Sequence, residues 1–330
     1  MQVSRFSLAL EEGLILPEEA RLAVYLPRAG YDLGGIAPGQ VRIFQGFFPE
    51  HAAFKAMGYD VDVAPSGRYD AALIVVPRSK VQARALVADA VARVDGGVII
   101  VDGQKTDGVD SLAKDIRKRL TLIGSIPKAH GRIFWFQASA VFDDWAGVPG
   151  QVEGGFETAP GVFSAEGVDA GSALLAQNLP ARLPARVCDL GAGWGYLSRA
   201  VLSRSGVKEL HLVEAEHAAL DCARRNITDE RAHFHWADAT SAELGQFDAV
   251  VTNPPFHTGR RAEPSLGQAF IASAARLLGP RGELWLVANR HLPYEAAMAE
   301  EFRDVREVAG TPAFKVLFGG RPQGRARTRR

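Results

Sequence analysis

The segment VVTNPPFHTG, residues 250–259, places an asparagine, two prolines and an aromatic ring directly after an apolar run. The Asn253 side-chain oxygen and the Pro254 main-chain carbonyl can both accept hydrogen bonds from an NH₂ group, and such acceptors stabilise the positive charge that develops when the nitrogen is alkylated. Because proline has a fixed φ and no N–H, the turn is rigid and leaves no donor unsatisfied. Phe256 offers a flat face on which a base can stack. We predict that Asn253, Pro254 and Phe256 hold the exocyclic amine of an unpaired or flipped-out base.

A glycine-rich turn follows an earlier apolar run in VCDLGAGWGYLS, residues 187–198. Gly191, Gly193 and Gly195 permit positive φ angles and a close approach of a ligand to the backbone. The spacing differs from the G-x-G-x-x-G of dinucleotide sites, and Asp189 stands two residues before the first glycine. A carboxylate there disfavours a pyrophosphate and favours a cationic ligand. The turn therefore indicates S-adenosylmethionine, which carries an ammonium group and a sulfonium.

Two further acids follow the next two predicted strands. Glu214 ends ELHLVE, where a carboxylate can accept hydrogen bonds from both ribose hydroxyls, and Asp238 follows HFHWA, where it can accept from the adenine amine. Ligands of open parallel sheets bind outside the carboxyl ends of the strands. We therefore predict that Asp189, Glu214, Asp238 and the three glycines bind this cofactor.

Short apolar runs alternate with helical patterns throughout the C-terminal half, which is typical of a parallel sheet covered by helices. The N-terminal half repeats that order faintly: YDAALIVVPRSK (69–80) aligns with FDAVVTNPPFHT (247–258), and Val75 and Val76 then stand in place of Asn253 and Pro254. We interpret this as an internal duplication whose first copy kept the fold and lost the site. The predicted boundaries are a first domain at 1–148, a Gly- and Pro-rich linker at 149–160, a catalytic domain at 161–318 and a flexible basic tail at 319–330.

The composition excludes several other classes of protein. Lys plus Arg and Asp plus Glu are equal at 38 each, so the whole chain has no net charge that would attract a polyanion. Only two cysteines occur, and neither they nor the histidines have the spacing of a disulfide scaffold or a metal site, so we expect no metal. No apolar run is long enough for a membrane span. We expect a soluble cytoplasmic protein.

The motifs together resemble those of the two-domain 16S ribosomal RNA guanine-N2 methyltransferases, a family of class I S-adenosylmethionine-dependent enzymes. The resemblance covers most of the C-terminal half. It rests on PGVFSAEGVDAGSALL (160–175), VCDLGAGWGYLS, FDAVVTNPPFHTG, RGELWLVANRHLPY (281–294) and FKVLFG (314–319). It implies two tandem Rossmann-like methyltransferase domains of α/β class, the N-terminal one degenerate.

The resemblance also implies a substrate and additional site residues. The substrate would be a guanine N2 amine in ribosomal RNA or the small ribosomal subunit. Apart from the resemblance, we expect the protein to be a monomer. Phe163 and Asp169 would lie near the cofactor. For RNA contacts we select cations after the Asn-Pro-Pro turn and near the C-terminus: Arg260, Arg261, Lys315, Arg321 and Arg325.

The residues leave other substrates open, because an Asn-Pro-Pro turn followed by an aromatic residue also serves a large-subunit rRNA guanine, an adenine N6 or a protein glutamine amide. The selected cations favour nucleic acid over protein. A non-catalytic RNA-binding or assembly protein would require a broken site, and a nicotinamide oxidoreductase disagrees with the glycine spacing and with Asp189.

Overall fold

The computed structural model describes residues 4–255 and 264–323. The chain divides into two compact units, the first formed by Met1–Pro149 with Ala159–Gly161 and the second by Gly150–Thr158 with Val162–Arg330. Within the described ranges, no helix is long and apolar enough to cross a membrane.

The first unit is a seven-stranded sheet with helices. Its strands are β1 (Leu22–Tyr25), β2 (Val41–Phe44), β3 (Asp60–Asp62), β4 (Tyr69–Val75), β5 (Val94–Gln104), β6 (Gly124–Lys128) and β7 (Gly131–Gln137), and its helices are α1 (Arg5–Glu11), α2 (Phe48–Ala56), α3 (Lys80–Arg93) and α4 (Val109–Arg117). The strand order is β3-β2-β1-β4-β5-β7-β6. The first five strands in that order are parallel, β7 is antiparallel to β5, and β6 is antiparallel to β7.

The second unit repeats this architecture after a short hairpin. Its strands are β8 (Gly150–Val152), β9 (Phe156–Thr158), β10 (Arg186–Leu190), β11 (Glu209–Glu214), β12 (Ala232–Trp236), β13 (Phe247–Thr252), β14 (Leu278–Asn289), β15 (Phe302–Gly310) and β16 (Phe314–Pro322), and its helices are α5 (Ala170–Asn178), α6 (Tyr196–Leu202), α7 (His217–Asn226), α8 (Pro264–Leu277) and α9 (Tyr294–Glu301). The order is β12-β11-β10-β13-β14-β16-β15, which matches the first unit strand for strand. The predicted fold of two tandem α/β domains is confirmed.

The central strands are apolar on both faces because each sheet is covered on both sides. In β13, Val250 belongs to one buried cluster, whereas its neighbours Ala249 and Val251 belong to the cluster on the opposite face. Successive residues of a strand point to opposite faces, so a strand between two apolar layers has a continuous apolar run. This is why β13 could be recognised from sequence, and its carboxyl end delivers Asn253 to the edge of the sheet.

Two predicted boundaries differ from the structure. The predicted linker 149–160 contains the β8–β9 hairpin, which belongs to the second unit. Gly154 and Gly155 have positive φ angles at its turn, and Phe156 is buried against Trp194 with ring centroids 4.9 Å apart. The glycines therefore mark a tight turn rather than a flexible connection.

The predicted tail 319–330 begins inside β16, which runs to Pro322. A Cβ atom added at Gly319 would lie 2.9 Å from the Met298 side chain and 3.0 Å from the Phe302 ring. Glycine is therefore required there for close packing of the strand, although its composition resembles that of a flexible segment. Residues 324–330 lie outside the described ranges.

Candidate functional site

The glycine-rich turn connects β10 to α6 and has the predicted backbone conformation. Gly191, Gly193 and Gly195 have φ angles of 81°, 56° and 95°, which residues with a Cβ rarely adopt. No atom lies within 4 Å of a Cβ added at Gly193, so this position faces open space rather than packed protein. The turn therefore leaves room for a ligand against its backbone.

Glu214, at the end of β11, holds this turn in place. Its Oε2 accepts a hydrogen bond from the Gly193 N–H at 2.8 Å, and its Oε1 accepts from the Glu216 N–H at 2.8 Å. Burial raises the pKa of Glu214, and the two backbone donors oppose that shift. Each carboxylate oxygen has a second lone pair, so both can still accept from ribose hydroxyls. The predicted role of Glu214 in binding ribose stays a prediction.

Asp189 lies at the end of β10 and is fully buried. Its Oδ2 accepts a hydrogen bond from Ser198 Oγ at 2.6 Å, whereas its Oδ1 has no hydrogen-bond partner among the described residues. Burial, with a smaller contribution from the charge of Glu214, raises the pKa of Asp189 to about 7. Because the side chain does not reach the surface, its position favours support of the turn from beneath over the predicted direct contact with the cofactor.

Asp238 lies two residues after the end of β12 and organises the chain that follows. Its Oδ1 accepts hydrogen bonds from both the N–H and the hydroxyl of Thr240, each at 2.8 Å. This arrangement turns the chain locally, as aspartate commonly does in loops. The predicted contact of Asp238 with adenine is not tested by this geometry.

Asn253 follows β13 and lies at the same edge of the sheet as the glycine turn. The Thr252 hydroxyl donates to the Leu190 carbonyl at 2.6 Å, which joins the ends of β13 and β10. The Asn253 Nδ2 atom donates to Asp169 Oδ2 at 2.9 Å and to Ser172 Oγ at 2.8 Å. Its Oδ1 atom is buried and has no hydrogen-bond partner within residues 4–255 and 264–323. The site therefore contains an unsatisfied acceptor on a fixed amide group.

A cavity joins these features. It is lined, among others, by Phe163, Asp169, Ser172, Gly191, Gly193 and Asn253. Phe163 is 56% exposed at this cavity. The predicted cofactor residues Phe163 and Asp169 thus lie beside the glycine turn and Asn253, although they are distant from both in sequence.

Ser172 and the hairpin are site features that the sequence interpretation missed. Ser172 is third after Asp169, and its N–H donates to Asp169 Oδ2 at 2.7 Å, so this aspartate caps α5. Aspartate is a preferred residue at a helix N-cap, so the cap of α5 could be recognised in the sequence. Asn226 Nδ2 donates to the carbonyls of Trp194 at 2.9 Å and Glu157 at 2.8 Å, which ties the glycine turn to the hairpin. No local pattern marks that contact.

The predicted RNA contacts fall into two groups. Phe256, Arg260, Arg261 and Arg325 lie outside the described residues. Lys315 is buried, and its ammonium group donates to both Glu295 carboxylate oxygens at 2.6 and 2.7 Å, so its position favours a structural ion pair over an RNA contact. Arg321 is exposed, but its guanidinium makes two hydrogen bonds of 2.6 Å with Asp304. Pro254, two residues after the end of β13, is buried.

Comparison with known proteins gives a consistent result. Residues 153–318 match the model of the methyltransferase small domain family. The ribosomal RNA small subunit methyltransferase C of Alteromonas mediterranea is 27% identical over 96% of this chain and 99% of its own length, and that of Salmonella heidelberg is 30% identical over 81% and 79%. A solved structure described as "T. Thermophilus 16S rRNA N2 G1207 methyltransferase (RsmC) in complex with AdoMet and Guanosine" covers 96% of this chain and 92% of that chain, with a TM-score of 0.78 and 25% identity.

These matches span both units and include the residues of the cavity. The residues present fit S-adenosylmethionine, because the turn offers open space at Gly193 and Glu214 offers carboxylate oxygens beside it. The sequence-based assignments of cofactor and enzyme class are confirmed. The chain belongs to the methyltransferase small domain family and, within it, to the 16S ribosomal RNA guanine-N2 methyltransferases that use S-adenosylmethionine.

Proposed function

We propose that this enzyme methylates the N2 amine of the 16S ribosomal RNA guanine that corresponds to G1207, the nucleotide named for the T. thermophilus protein. The coverage of both chains above 90% supports this choice, because the likeness extends over both units and not only over the cofactor turn. We also propose that the enzyme acts in the cytoplasm, where it meets the ribosomal RNA, and that it acts as a monomer.

The observation that carries the proposal is the buried Oδ1 atom of Asn253. It has no hydrogen-bond partner among the described residues, and Asn253 lines the same cavity as the glycine turn. A buried acceptor without a partner costs about 1–3 kcal/mol. A guanine N2 amine supplies the missing donor, so substrate binding removes this cost.

The chain's residues prepare the amine for reaction. The lone pair of an exocyclic amine is delocalised into the ring. Asn253 Oδ1 and the Pro254 carbonyl accept its two hydrogens, direct the lone pair toward the methyl donor, and stabilise the positive charge that develops on nitrogen. S-adenosylmethionine supplies the electrophilic methyl carbon when bound. A carbon–nitrogen bond forms as the carbon–sulfur bond breaks, and the nitrogen then loses a proton to water.

We assign the cofactor contacts to the turn and its neighbours. Gly191, Gly193 and Gly195 let the methionine part approach the backbone, and Glu214 accepts from the ribose hydroxyls. Asp238 accepts from the adenine amine, while Asp189 supports the turn from beneath. Phe163 lies at the exposed side of the same cavity. Phe256, which lies outside the described residues, supplies the stacking surface for the base.

Mapping of methylated nucleotides tests the proposal. 16S ribosomal RNA from cells that lack the gene is compared with wild-type RNA by mass spectrometry of nuclease fragments. The expected result is the loss of one N2-methylguanine at the position equivalent to G1207, restored by the purified enzyme with S-adenosylmethionine. Parallel reactions on naked RNA and on small subunits identify the substrate form. A lost methyl group in the large-subunit RNA, on an adenine or on a protein glutamine would overturn the proposal.

A further inference from the structure

We propose that Asp169 is a positioning residue for the methyl transfer: together with Ser172 it binds the amide nitrogen of Asn253 and so turns that side chain into a hydrogen-bond acceptor alone. This inference rests on the proposed function, because it assumes that Asn253 contacts the amine. It adds a residue from a distant part of the sequence, 84 positions before Asn253, to the machinery of the reaction.

Both hydrogens of the Asn253 amide have protein acceptors. Nδ2 lies 2.9 Å from Asp169 Oδ2 and 2.8 Å from Ser172 Oγ. An amide NH₂ group has two hydrogens, so neither remains for a ligand. Its Oδ1 atom, which has no partner in the described part of the chain, is the only polar atom of the side chain left for a substrate.

The chemistry of Asp169 also fixes which way the amide points. The oxygen and nitrogen of an amide have nearly the same shape, so shape alone would permit either orientation. An ionised carboxylate only accepts hydrogen bonds. The flipped amide would place Oδ1 against Asp169 Oδ2, two acceptors without a proton between them. Asp169 therefore selects the orientation in which Oδ1 is free for an amine.

Asp169 is itself held firmly. It caps α5 through the hydrogen bond that its Oδ2 atom accepts from the Ser172 N–H at 2.7 Å. A Cβ added at Gly171 would lie 3.0 Å from Asp169 Oδ2 and 3.2 Å from the Phe314 ring, so a larger residue at 171 would crowd the carboxylate. The helix cap, the small residue at 171 and the carboxylate thus form one unit that supports Asn253.

This arrangement has two chemical consequences. An acceptor-only side chain favours an NH₂ group over a carbonyl or an unprotonated ring nitrogen of a base. The carboxylate charge, transmitted through the amide, also makes Oδ1 a stronger acceptor when the substrate nitrogen becomes positive. Asp169 therefore acts on the transition state more than on binding of the cofactor.

A double-mutant cycle tests the inference. Asp169→Ser retains a good helix cap but is too short to reach Asn253. We expect it to lower kcat about 10–100-fold and to leave the Kd of S-adenosylhomocysteine within about threefold. Because interacting residues are not additive, the same change in an Asn253→Ala background is expected to lower kcat by less than about threefold. Asp169→Asn, which keeps an acceptor for both contacts, is the matched control and is expected to lose less activity than Asp169→Ser.

The outcomes separate the inference from the function on which it rests. Wild-type turnover in Asn253→Ala would remove Asn253 from the mechanism and overturn both. A slow Asn253→Ala enzyme in which Asp169→Ser multiplies the loss in full would keep the proposed function and overturn the positioning role. Loss of S-adenosylhomocysteine binding in Asp169→Ser, in step with the loss of kcat, would assign Asp169 to the cofactor instead.

An exchange of the two side chains gives a second measurement. Asn253→Asp alone places two carboxylates against each other, and we expect it to be nearly inactive at neutral pH and more active as the pH falls, when the pair gains a proton. Adding Asp169→Asn restores a donor opposite residue 253. Recovery of at least about tenfold in kcat, with the loss of the acid activation, is expected if the pair acts as one unit. A double variant no better than Asn253→Asp would contradict the inference.

Discussion

The two units share their framework down to single hydrogen bonds. Asp70 Oδ2 accepts from the Arg21 N–H at 2.8 Å in the first unit, and Asp248 Oδ2 accepts from the Arg186 N–H at 3.0 Å in the second. In both, the arginine lies over the aromatic ring that begins the central strand, Tyr69 or its counterpart in β13. The register of that strand shifts after its first residue in both units. These shared details support the duplication inferred from sequence.

The crevices at the carboxyl ends of the parallel strands differ in chemistry between the two units. By strand register, Gln45 occupies the place of Glu214. The Gln45 Oε1 atom accepts from the Phe47 N–H at 2.9 Å, just as Glu214 Oε1 accepts from the Glu216 N–H. The Gln45 Nε2 atom, however, donates to the Pro27 carbonyl at 2.8 Å. In the second unit the corresponding partner is an N–H of the glycine turn. The first unit has therefore satisfied this position internally and has lost a carboxylate for ribose.

The residues around that position changed in the same direction. Val24 and Leu26 stand where the second unit has Asp189 and Gly191, and β4 runs into Val75 and the buried Val76. Apolar packing and the strand order maintain the fold without the polar residues of the crevice. The comparison teaches that this fold tolerates loss of the site, so the fold itself does not require the polar side chains of the second unit's crevice.

The largest expected effect is at the end of the central strands. Asn253→Ala should slow methylation about 10²–10³-fold, because one charge-stabilising acceptor is lost. S-adenosylhomocysteine affinity should stay near wild type, since the cofactor turn is intact. Val75→Ala, at the corresponding position of the first unit, is the matched control and should leave activity unchanged. Single-turnover kinetics measure the methylation rate of each variant, and calorimetry measures its affinity for S-adenosylhomocysteine. A Val75→Ala enzyme as slow as Asn253→Ala would contradict the functional difference between the two units.

The next effect concerns the Glu214 and Gln45 pair. Glu214→Gln should weaken S-adenosylhomocysteine binding about 10–100-fold, because one carboxylate acceptor becomes a donor facing a backbone N–H. Gln45→Glu should leave binding unchanged but lower the free energy of unfolding by about 1–3 kcal/mol, since a carboxylate would face the Pro27 carbonyl. Calorimetry and urea unfolding measure the two quantities. Equal loss of affinity in both variants would contradict the assignment.

The two sheets carry different charged or titratable groups at equivalent positions, and this difference predicts a pH effect. The first unit pairs Arg42 with Asp60 and Asp62, whereas the second places His211 beside His233 and His235 at the same register. Burial, followed by the charge of His235, lowers the pKa of His211 to about 4.

In the folded chain His211 therefore stays neutral at pH values somewhat below 6.5. In the unfolded chain the same imidazole is protonated below its ordinary pKa of about 6.5. The free energy of unfolding should fall by about 1–2 kcal/mol between pH 6.5 and 4, with no contribution from this group above that range. Chemical denaturation of wild type and His211→Gln across that range measures this. An equally steep fall in the variant would assign the effect to other groups.

The smallest expected effect is at the C-terminus. Truncation after Gln323 spares β16 and removes four arginines, Arg325, Arg327, Arg329 and Arg330. Fewer phosphate contacts should weaken RNA binding several-fold and flatten its dependence on salt. Titrations of an rRNA fragment at several salt concentrations measure the slope. A slope equal to wild type would show that these arginines do not contact the backbone.

The sequence by itself determined the local features of this protein. Apolar periodicity marks the strands, because each central strand is buried on both faces. The turn around Gly193 follows from backbone sterics, and the turn after Thr252 from the properties of proline. Spacing of this kind reports interactions within a few residues, which is why the fold class and the cofactor followed from it.

Only the tertiary structure decided how distant residues act together. Asp169 meets Asn253 because strand order brings the start of α5 beside the end of β13. The same strand order buries Asp189 beneath the turn and Lys315 beside Glu295. From the sequence, both residues are predicted to contact a ligand. Burial and the identity of a partner depend on which strands are neighbours, and no short stretch of sequence records that.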